Sequence, residues 1–403
     1  MACLVCGSQA ISEQLSVGSH PVSTFFLEEK DAPQRAFKLA LGQCVNCGTI
    51  QSMAPLPHDA LVPPYDWLFA REPEEHLDEA VDNILALQNY GPDTVVGALT
   101  YKDDTTVDRL MRKGCGRSWR LTLDGDLGVS NPAANIETVQ KLTTPERMAK
   151  IAGHRGHADI LIVRHIFEHA EDPATFLRGI AELLKPGGVV MLEVPDCTTS
   201  LRLNDYCMVW EEHSLYLTPE TFAPMASLGG FETIRLDVYP LPFENSLVLI
   251  ARKSGGNQEF RVGDAARDQA GSLVKYAEAY GPACQELRDR LAGHRQNKGP
   301  IALFGAGHLA CAFANFMGVA DLIDFVADDT PQKQGKYLPG ARLPILPSQA
   351  LLDHGVTLCL LALSINNEDK VIARNEAFVK RGGIFRSIFR ASGRSVFDNW
   401  SEI

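Results

Sequence analysis

The run from His157 to Asp196 constrains the fold more than any other part of the sequence. It reads HADILIVRHIFEHAEDPATFLRGIAELLKPGGVVMLEVPD. Its pattern predicts a strand at Ile160 to Val163, a helix at Pro173 to Leu184, a turn at KPGG and a second strand at Val189 to Val194. A strand, a helix and a strand in this order predict two parallel strands joined by a right-handed crossover.

The residues before this run repeat the alternation. Apolar residues at helical spacing after an acidic first turn predict a helix from Glu72 to about Gln88. A short strand at Val95 and Val96, a helix from about Asp104 and a strand from Trp119 to Leu123 follow. We therefore expect an α/β fold with a doubly wound sheet, and ligands at the carboxyl ends of its parallel strands.

The last third of the chain predicts a second unit of the same kind. A linker at Arg252 to Asn257 and a long helical stretch from about Gly263 to Leu291 lead into it. A strand, a GAG loop at residues 305–307, a helix and a strand ending at Asp328 predict a Rossmann-like fold. The GxG alone is weak evidence for a dinucleotide, because no third glycine follows in register.

Size and charge exclude several classes of protein. A chain of 403 residues is long enough for two or three domains. Its formal net charge of -12 and the absence of a basic run argue against a nucleic-acid or membrane-surface partner, because both require clustered Lys and Arg. The sequence has no secretion signal and no apolar run long enough to span a membrane. We expect a cytoplasmic protein that acts on a small molecule.

Four of the ten cysteines have the spacing of metal ligands. Cys3 and Cys6 form one CxxC pair, Cys44 and Cys47 form another, and a glycine follows each pair. Four thiolates complete the tetrahedral coordination of zinc, which is typical of a structural rather than a catalytic site. We expect a structural zinc ion in a small β-rich module, although four unrelated buried cysteines remain the alternative.

The segment RHIFEHAEDPATFLRGIAELLKPGGVVMLEVP resembles the part of class I S-adenosylmethionine (SAM)-dependent methyltransferases from their fourth strand through their fifth. With the cysteine module in front and DDTPQKQGKYLPGARLPIL near the end, the chain resembles the C-methyltransferases of nucleotide-linked keto-deoxysugars. The resemblance implies a zinc-binding module at residues 1–71 and a SAM methyltransferase-like domain at residues 72–254. It also implies a C-terminal Rossmann-like, substrate-binding domain at residues 255–403.

The resemblance also implies where SAM would bind. Residues 96–104, VGALTYKDD, stand where the family carries an acidic residue and a Gly-x-Gly-like run, and Gly97 is their one glycine. Asp124 and Asp126 are candidates for the carboxylate on the cofactor's ribose, although solvated turn residues would look the same. His165 and His169 flank the end of a predicted strand, where contact with the cofactor and a plain hydrogen-bonded position both stay open.

The segment WEEHSLY, from Trp210 to Tyr216, holds the catalytic candidates. The helix start at Thr218 places it in a loop at the carboxyl edge of the sheet. It resembles a Tyr-His-Glu-His-like run of the family, with a tryptophan and a glutamate in place of the tyrosine and the first histidine. The resemblance implies that His213 is the general base, that Glu212 orients it or helps hold the substrate, and that Tyr216 is the aromatic residue that follows.

Deprotonation next to a ketone suits a histidine. It requires a base that titrates near neutral pH and a partner for the developing enolate oxygen, and adjacent carboxylates raise the pKa of an imidazole. A metal site is less favoured, because Glu211, Glu212 and His213 are consecutive and no second spaced histidine follows. Solvent-facing carboxylates beside a hydrogen-bonded loop histidine are the remaining alternative.

The predicted substrate-binding residues come from several segments that match the family in part. Tyr65 and Trp67 stand in its tyrosine-rich entry segment, where core packing is the alternative. The rest flank the base, replace a Gly-Gly-Ser turn or lie in the C-terminal domain, and they are Trp210, Asn245, Ser246, His308, Asp328, Lys333 and Lys336.

Together these features predict SAM-dependent C-methylation of a nucleotide-linked keto-deoxysugar, by deprotonation next to the ketone and methyl transfer to the enolate. The altered glycine loop keeps a second hypothesis open, in which a relative binds, enolises or epimerises a sugar nucleotide without SAM. A non-catalytic subunit is the third possibility.

Overall fold

The computed structural model describes residues 1–65, 67, 72–242, 244–255, 260–269 and 271–398. The chain divides into two compact units, and each is described by itself. The first unit contains residues 1–13, 41–198 and 212–271, and the second contains residues 14–40, 199–211 and 272–403. Residue 71 at a predicted domain boundary, and residues 256 and 257 of the predicted linker, lie outside the described residues, and the three-domain division stays a prediction.

Strands and helices alternate through most of the described chain. The strands are β1 (Ile11–His20), β2 (Phe37–Cys44), β3 (Ile50–Ser52), β4 (Val95–Ala98), β5 (Arg117–Arg120), β6 (Ala158–Arg164), β7 (Leu184–Asp196), β8 (Leu215–Tyr216), β9 (Phe231–Tyr239), β10 (Asn245–Lys253), β11 (Ile301–Phe304), β12 (Phe325–Ala327), β13 (Ile345–Leu346), β14 (Leu358–Leu361) and β15 (Ile384–Ser387).

The helices that separate them are α1 (His58–Leu61), α2 (Leu77–Leu85), α3 (Asp104–Arg112), α4 (Ile136–Leu142), α5 (Pro145–Arg155), α6 (Pro173–Glu182), α7 (Thr198–Leu203), α8 (Pro219–Phe222), α9 (Asp264–Asp268), α10 (Ser272–Asn297), α11 (His308–Phe316), α12 (Ala350–Asp353), α13 (Glu368–Arg374) and α14 (Glu376–Lys380). Short 3₁₀ turns lie at Tyr101–Asp103, Phe167–His169, Tyr206–Met208, Ala223–Gly229, Ala320–Leu322 and Ile365–Asn367.

A six-stranded sheet forms the centre of the first unit, in the order β5-β4-β6-β7-β10-β9. The first four strands are parallel, and β10 runs antiparallel to both β7 and β9. The chain goes from β4 to β5 on one side and then to β6 on the other, so the strand order reverses between β4 and β6. Ligands of open α/β sheets bind at such a switch point, outside the carboxyl ends of the strands.

Helices cover both faces of this sheet because each carries an apolar stripe. In α2, Leu77, Ala80, Val81 and Ile84 follow the helical period and are fully buried in a cluster with residues of β4, β6 and β10. On the opposite face, α5 and α6 bury their apolar residues against β6 and β7. The α/β fold class is therefore confirmed.

The predicted elements are present with shifted bounds. The helix predicted from Glu72 begins at Leu77, where its buried residues begin. The KPGG turn is a bulge inside β7 rather than a break before it. Ala158 pairs with Leu184 while Ile160 pairs with Val189, and Gly187 has a φ of +75° that only glycine adopts without strain.

The remaining sheets are smaller. The five strands β13-β12-β11-β14-β15 form a parallel sheet in the second unit, as expected for a Rossmann-like fold. The strands β1-β2-β3-β8 form the third sheet, and the chain passes from one unit to the other within β1 and within β2. None of the helices in the described part of the chain combines the length and the hydropathy needed to cross a bilayer.

Candidate active site

The loop that carries His213 is attached to a turn at the carboxyl edge of the central sheet. That turn, Phe167–His169, follows the end of β6. The backbone N–H of Ser214 donates to the carbonyl of Glu168 at 2.9 Å, and the Ser214 hydroxyl donates to the carbonyl of His169 at 3.2 Å. Ser214 is buried, and Leu215 and Tyr216 continue as β8 beside β3. These bonds bring His213 close to His169.

The two imidazoles meet edge to face. The ring centroids of His169 and His213 lie 4.8 Å apart at an interplanar angle of 78°. His169 is 5% exposed, whereas His213 is half-buried and therefore reachable from solvent. The ring of Tyr216 lies 5.9 Å from that of His213 and is buried. His213 is thus the more accessible of two adjacent imidazoles, as a base that meets a substrate requires.

Three carboxylates surround this pair of imidazoles. Glu137, in the first turn of α4, accepts a hydrogen bond from Nδ1 of His169. Glu168 brings an oxygen to 3.9 Å from Nε2 of His169, and Glu212 belongs to the same cluster. Although burial opposes the charged form, the carboxylate of Glu137 raises the pKa of His169 to about 9. The carboxylates around His169 therefore favour the charged form of its ring.

A second charged group lies deeper at the same edge, around Glu193 of β7. Its carboxylate binds the Nε of Arg164, lies 2.8 Å from Nε2 of His76 and accepts a hydrogen bond from the hydroxyl of Ser246 at 2.7 Å. Burial opposes ionisation of Glu193, but His165 and Arg164 hold its pKa well below the ordinary value. Ser246, which was predicted to bind the substrate, is 2% exposed, and its hydroxyl is bonded to Glu193.

His165 belongs to this deeper group. Its Nε2 lies 3.2 Å from Glu193, and its φ of +48° is rarely adopted by a residue with a side chain. Burial opposes the charged form, but Glu72 and Glu193 raise the pKa of His165 to about 10. Nδ1 of His165 also lies 3.7 Å from the Glu168 oxygen that approaches His169, so Glu168 links the two histidines, and the cofactor role predicted for them stays a prediction.

Protein side chains pack against the altered glycine loop and bond to its backbone. Gly97 lies inside β4, where an added Cβ would stand 2.7 Å from the ring of Trp119 and 3.0 Å from Leu161. The carboxylate of Asp103 accepts hydrogen bonds from the amides of Leu99, Thr100 and Arg164, all at 2.8 Å. Gly97 is therefore required for packing within the sheet, and its predicted cofactor contact stays a prediction.

The two aspartates predicted to bind the ribose lie in the turn after β5. Asp124 is exposed. Asp126 pairs with Arg155 at 2.8 Å and accepts a hydrogen bond from the amide of Thr122 at 2.7 Å. Burial opposes ionisation, but Arg155 and Thr122 together lower the pKa of Asp126. Asp126 is thus bonded within the protein, and contact of either aspartate with a ribose stays a prediction.

Two buried polar atoms near the switch point fit the charged end of SAM. Among the described residues, Nη2 of Arg164 and Oε2 of Glu168 are buried without a hydrogen-bond partner. A guanidinium N–H matches the carboxylate of the methionine portion, and a carboxylate oxygen matches its ammonium or sulfonium. The donor set therefore suits the methionine end of the cofactor at positions other than the predicted ones.

The four cysteines of the CxxC pairs come together in the first unit. Their sulfurs lie within 4.8 Å of one another, and the Sγ atoms of Cys3 and Cys47 and of Cys6 and Cys44 are 3.6 Å apart. A tetrahedral zinc site with metal–sulfur bonds of about 2.3 Å has sulfur–sulfur distances of about 3.8 Å. The four thiols therefore fit a closed tetrahedral site.

In the second unit, Trp210 stacks on His308 with ring centroids 3.5 Å apart at 10°. Nδ1 of His308 lies 3.2 Å from the carboxylate of Glu211, which also accepts a hydrogen bond from the amide of Ser23 at 2.6 Å. Burial opposes ionisation of Glu211, but His308 lowers its pKa to about 2. The substrate roles predicted for Trp210 and His308 stay predictions.

The other residues predicted in the second unit have partners inside it. Asp328 accepts a hydrogen bond from the amide of Ala306 at 2.8 Å and pairs with Lys333 at 3.2 Å. Lys336 pairs with Glu28. Asp328 thus closes the GAG loop, and contact of these residues with substrate is untested.

The last predicted substrate residues lie in the first unit. Tyr65 and Trp67 are half-buried with ring centroids 4.9 Å apart. Asn245 donates to the carboxylate of Asp196 at 3.0 Å, at the carboxyl end of β7. Of these three, Asn245 is placed at the edge that carries the cluster.

Several residues of the site were missed by sequence reasoning. Glu168 could have been found, because it lies beside His169 in the quoted motif. Arg164 and Glu193 could also have been found from the sequence. Arg164 is a charged residue at the end of an apolar strand, and Glu193 is a charged residue inside one. Glu137 had no such signal, because an acidic residue in the first turn of a helix is ordinary.

Two family models match successive parts of the chain. Residues 66–236 match a methyltransferase domain, and residues 263–389 match the C-methyltransferase C-terminal domain. The C-methyltransferase NovU of Streptomyces niveus is 24% identical over 400 residues, which cover 95% of this chain and 94% of that protein. Over nearly its whole length, the chain is therefore similar to SAM-dependent C-methyltransferases.

More distant relatives match a smaller part of the chain. The ubiquinone biosynthesis O-methyltransferase of Marinobacter nauticus is 29% identical over 87 residues, or 22% of this chain and 36% of that protein. The solved magnesium protoporphyrin IX methyltransferase of Synechocystis, with bound S-adenosylhomocysteine, is 16% identical. That match covers 45% of this chain and 83% of the other at a TM-score of 0.32.

Proposed function

We propose that the protein C-methylates a nucleotide-linked keto-deoxysugar, with SAM as the methyl donor and His213 as the base. The observation that carries the proposal is the cluster of two imidazoles and three carboxylates at the carboxyl edge of the central sheet. The similarity to C-methyltransferases supports methyl transfer to carbon, and the resemblance of the segment around His213 to the family pattern supports the sugar nucleotide.

His213 accepts the proton from the carbon next to the ketone, and the electron pair of the broken C–H bond forms the enolate. Its ring is held between His169 and Tyr216, and the bonds of Ser214 fix the loop behind it. Because His213 is half-buried, it can return the proton to solvent after the reaction.

SAM, when bound, supplies a methyl group made electrophilic by its sulfonium. Arg164 and Glu168 are the residues that would hold its methionine end, because each has a buried polar atom without a partner among the described residues. The carboxylates near His213 also favour a positively charged sulfonium at this edge.

Isotope exchange tests the proposal. Nucleoside diphosphate-linked keto-deoxyhexoses are incubated in deuterated water with and without SAM and followed by mass spectrometry. We expect a methylated product with SAM and incorporation of deuterium next to the ketone without it. His213→Asn should abolish both, while the same change at the exposed His157 should alter neither. Absence of both signals for every keto-deoxyhexose offered would refute the proposal.

A specific observation favours a second candidate, which is enolisation or epimerisation without SAM. Lys102 lies in the altered loop, its side chain is 8% exposed, and it pairs with Glu72, so a charged side chain fills part of that loop. The same experiment separates the two candidates. Deuterium incorporation that SAM neither changes nor converts to methylation supports the second one, and so does the absence of S-adenosylhomocysteine binding.

The proposal includes a structural zinc ion on Cys3, Cys6, Cys44 and Cys47, which would join the N-terminal segment to the end of β2. A site closed by four thiolates does not activate water, so the ion takes no part in methyl transfer. We further propose that the enzyme works in the cytoplasm on a small-molecule sugar nucleotide, without a nucleic-acid or membrane partner.

A further inference from the structure

Glu137 is a buried acid that neither the sequence pattern nor the proposed reaction assigns. It lies in the first turn of α4 and is 1% exposed. The side chain of Asn135 accepts a hydrogen bond from the backbone amide of Glu137 at 3.3 Å, which fixes the start of the helix. A carboxylate buried to this extent is costly unless it is paired.

The partner of Glu137 is Nδ1 of His169. Gln140, one helical turn further along α4, accepts a hydrogen bond from the amide of Glu171 at 3.3 Å, so α4 holds the turn around His169 at two points. With Nδ1 committed to Glu137, Nε2 of His169 remains. It lies 3.9 Å from Glu168, which is longer than a hydrogen bond.

The groups that face His169 come from three segments. They are Glu137 of α4, Glu168 of its own turn, and Glu212 and His213 of the loop before β8. Carboxylates dominate this set, and they favour a doubly protonated ring that can donate from Nε2. His213, in contrast, must be neutral to accept a proton. The two rings therefore suit different roles, His213 as the proton acceptor and His169 as a hydrogen-bond donor.

We propose that Glu137 is a positioning residue that keeps His169 as an imidazolium whose Nε2–H donates to the enolate oxygen formed when His213 deprotonates the substrate. This inference rests on the proposed function. The proton moves from carbon to His213, the C–H electron pair becomes the new carbon–carbon double bond, and the carbonyl electrons move to oxygen. A charged donor already in place at that oxygen stabilises the negative charge where it develops.

The test removes the charge of the Glu137 side chain and keeps its shape. In Glu137→Gln the amide oxygen still accepts from Nδ1, but the ring loses the carboxylate that keeps it charged. We expect deuterium exchange of the wild-type substrate to slow by roughly 10- to 100-fold, with KM within about threefold of wild type. Glu137→Asp should recover part of the rate. Glu146→Gln, at the same position of the first turn in α5 but exposed, is the matched control and should exchange at the wild-type rate.

Nitrogen-15 NMR of the wild-type protein gives a readout without substrate and without a variant. We expect both ring nitrogens of His169 to be protonated at pH 7.5, and the titration to move to lower pH in Glu137→Gln. A neutral His169 in the wild type overturns the inference, as does a Glu137→Gln protein that exchanges at the wild-type rate. Failure of the proposed function is distinct, because the wild type itself would then exchange no keto-deoxyhexose nucleotide.

Discussion

Ser214 is bonded to His169 through its hydroxyl, which donates to the backbone carbonyl of His169 at 3.2 Å. The two residues belong to segments far apart in the chain, the loop before β8 and the turn after β6. Together with the amide bond of Ser214 to Glu168, this contact sets the distance between the His169 and His213 rings.

Removal of the Ser214 hydroxyl should make the position of the His213 ring less fixed. In Ser214→Ala we expect a loss of stability of about 1 kcal/mol, typical of a buried hydrogen bond, and a fall of roughly three- to tenfold in kcat with a smaller change in KM. Urea unfolding and the exchange assay measure the two effects. Ser227→Ala removes a comparable hydroxyl-to-carbonyl bond, to Pro224 at 2.7 Å, and should leave kcat unchanged. Equal kcat values for the two variants would contradict the positioning role of Ser214.

Gly97→Ala should act through packing. The new Cβ would stand 2.7 Å from the Trp119 ring, so we expect a loss of about 1–3 kcal/mol in the free energy of unfolding. Gly153→Ala is the control, because Gly153 lies inside α5 with no atom within 4 Å of an added Cβ. It should stabilise the protein by roughly 0.5–1 kcal/mol. A Gly97→Ala protein of wild-type stability that binds S-adenosylhomocysteine more weakly would favour a cofactor contact instead.

The pKa of His169 predicts a pH dependence of stability. Its folded-state pKa of about 9 lies above the ordinary value of 6.5, so the charged ring stabilises the fold fully below pH 6.5 and this contribution is lost as the pH rises through 9. Between these pH values, the unfolding free energy of the wild type should fall by about 1–3 kcal/mol more than that of His169→Gln. Urea unfolding at several pH values measures this, and parallel curves for the two proteins would contradict it.

Loss of a zinc ligand should remove the metal and destabilise the N-terminal segment. We expect elemental analysis to find about one zinc per chain in the wild type and almost none in Cys44→Ser, with a lower Tm, because four ligands are needed to close the site. Cys284→Ser is the control, since Cys284 lies outside the cluster in α10. A wild-type protein that contains no zinc, and whose Tm a chelator leaves unchanged, would exclude the site.

The cysteine cluster and the strand-helix-strand run show how far the sequence could predict. The cysteine cluster could be predicted from the local spacing within each CxxC pair, provided that the chain brings the two pairs together. The run of β6, α6 and β7 was predicted within a few residues, because apolar periodicity is a local property. The KPGG segment was read as a turn, and only the register between β6 and β7 makes it a bulge.

The sequence by itself determined the α/β fold and the cysteine pairs, since each depends on residue type and short-range spacing, whereas the prediction of His213 as the base came from the resemblance of its segment to the family pattern. Only the tertiary structure decided that Glu137, Glu168 and His169 surround His213, that Gly97 is committed to Trp119, and that Asp126 pairs with Arg155. These contacts join residues that no periodicity connects. They form because parallel strands bring their carboxyl ends to one edge, where buried charges must find partners.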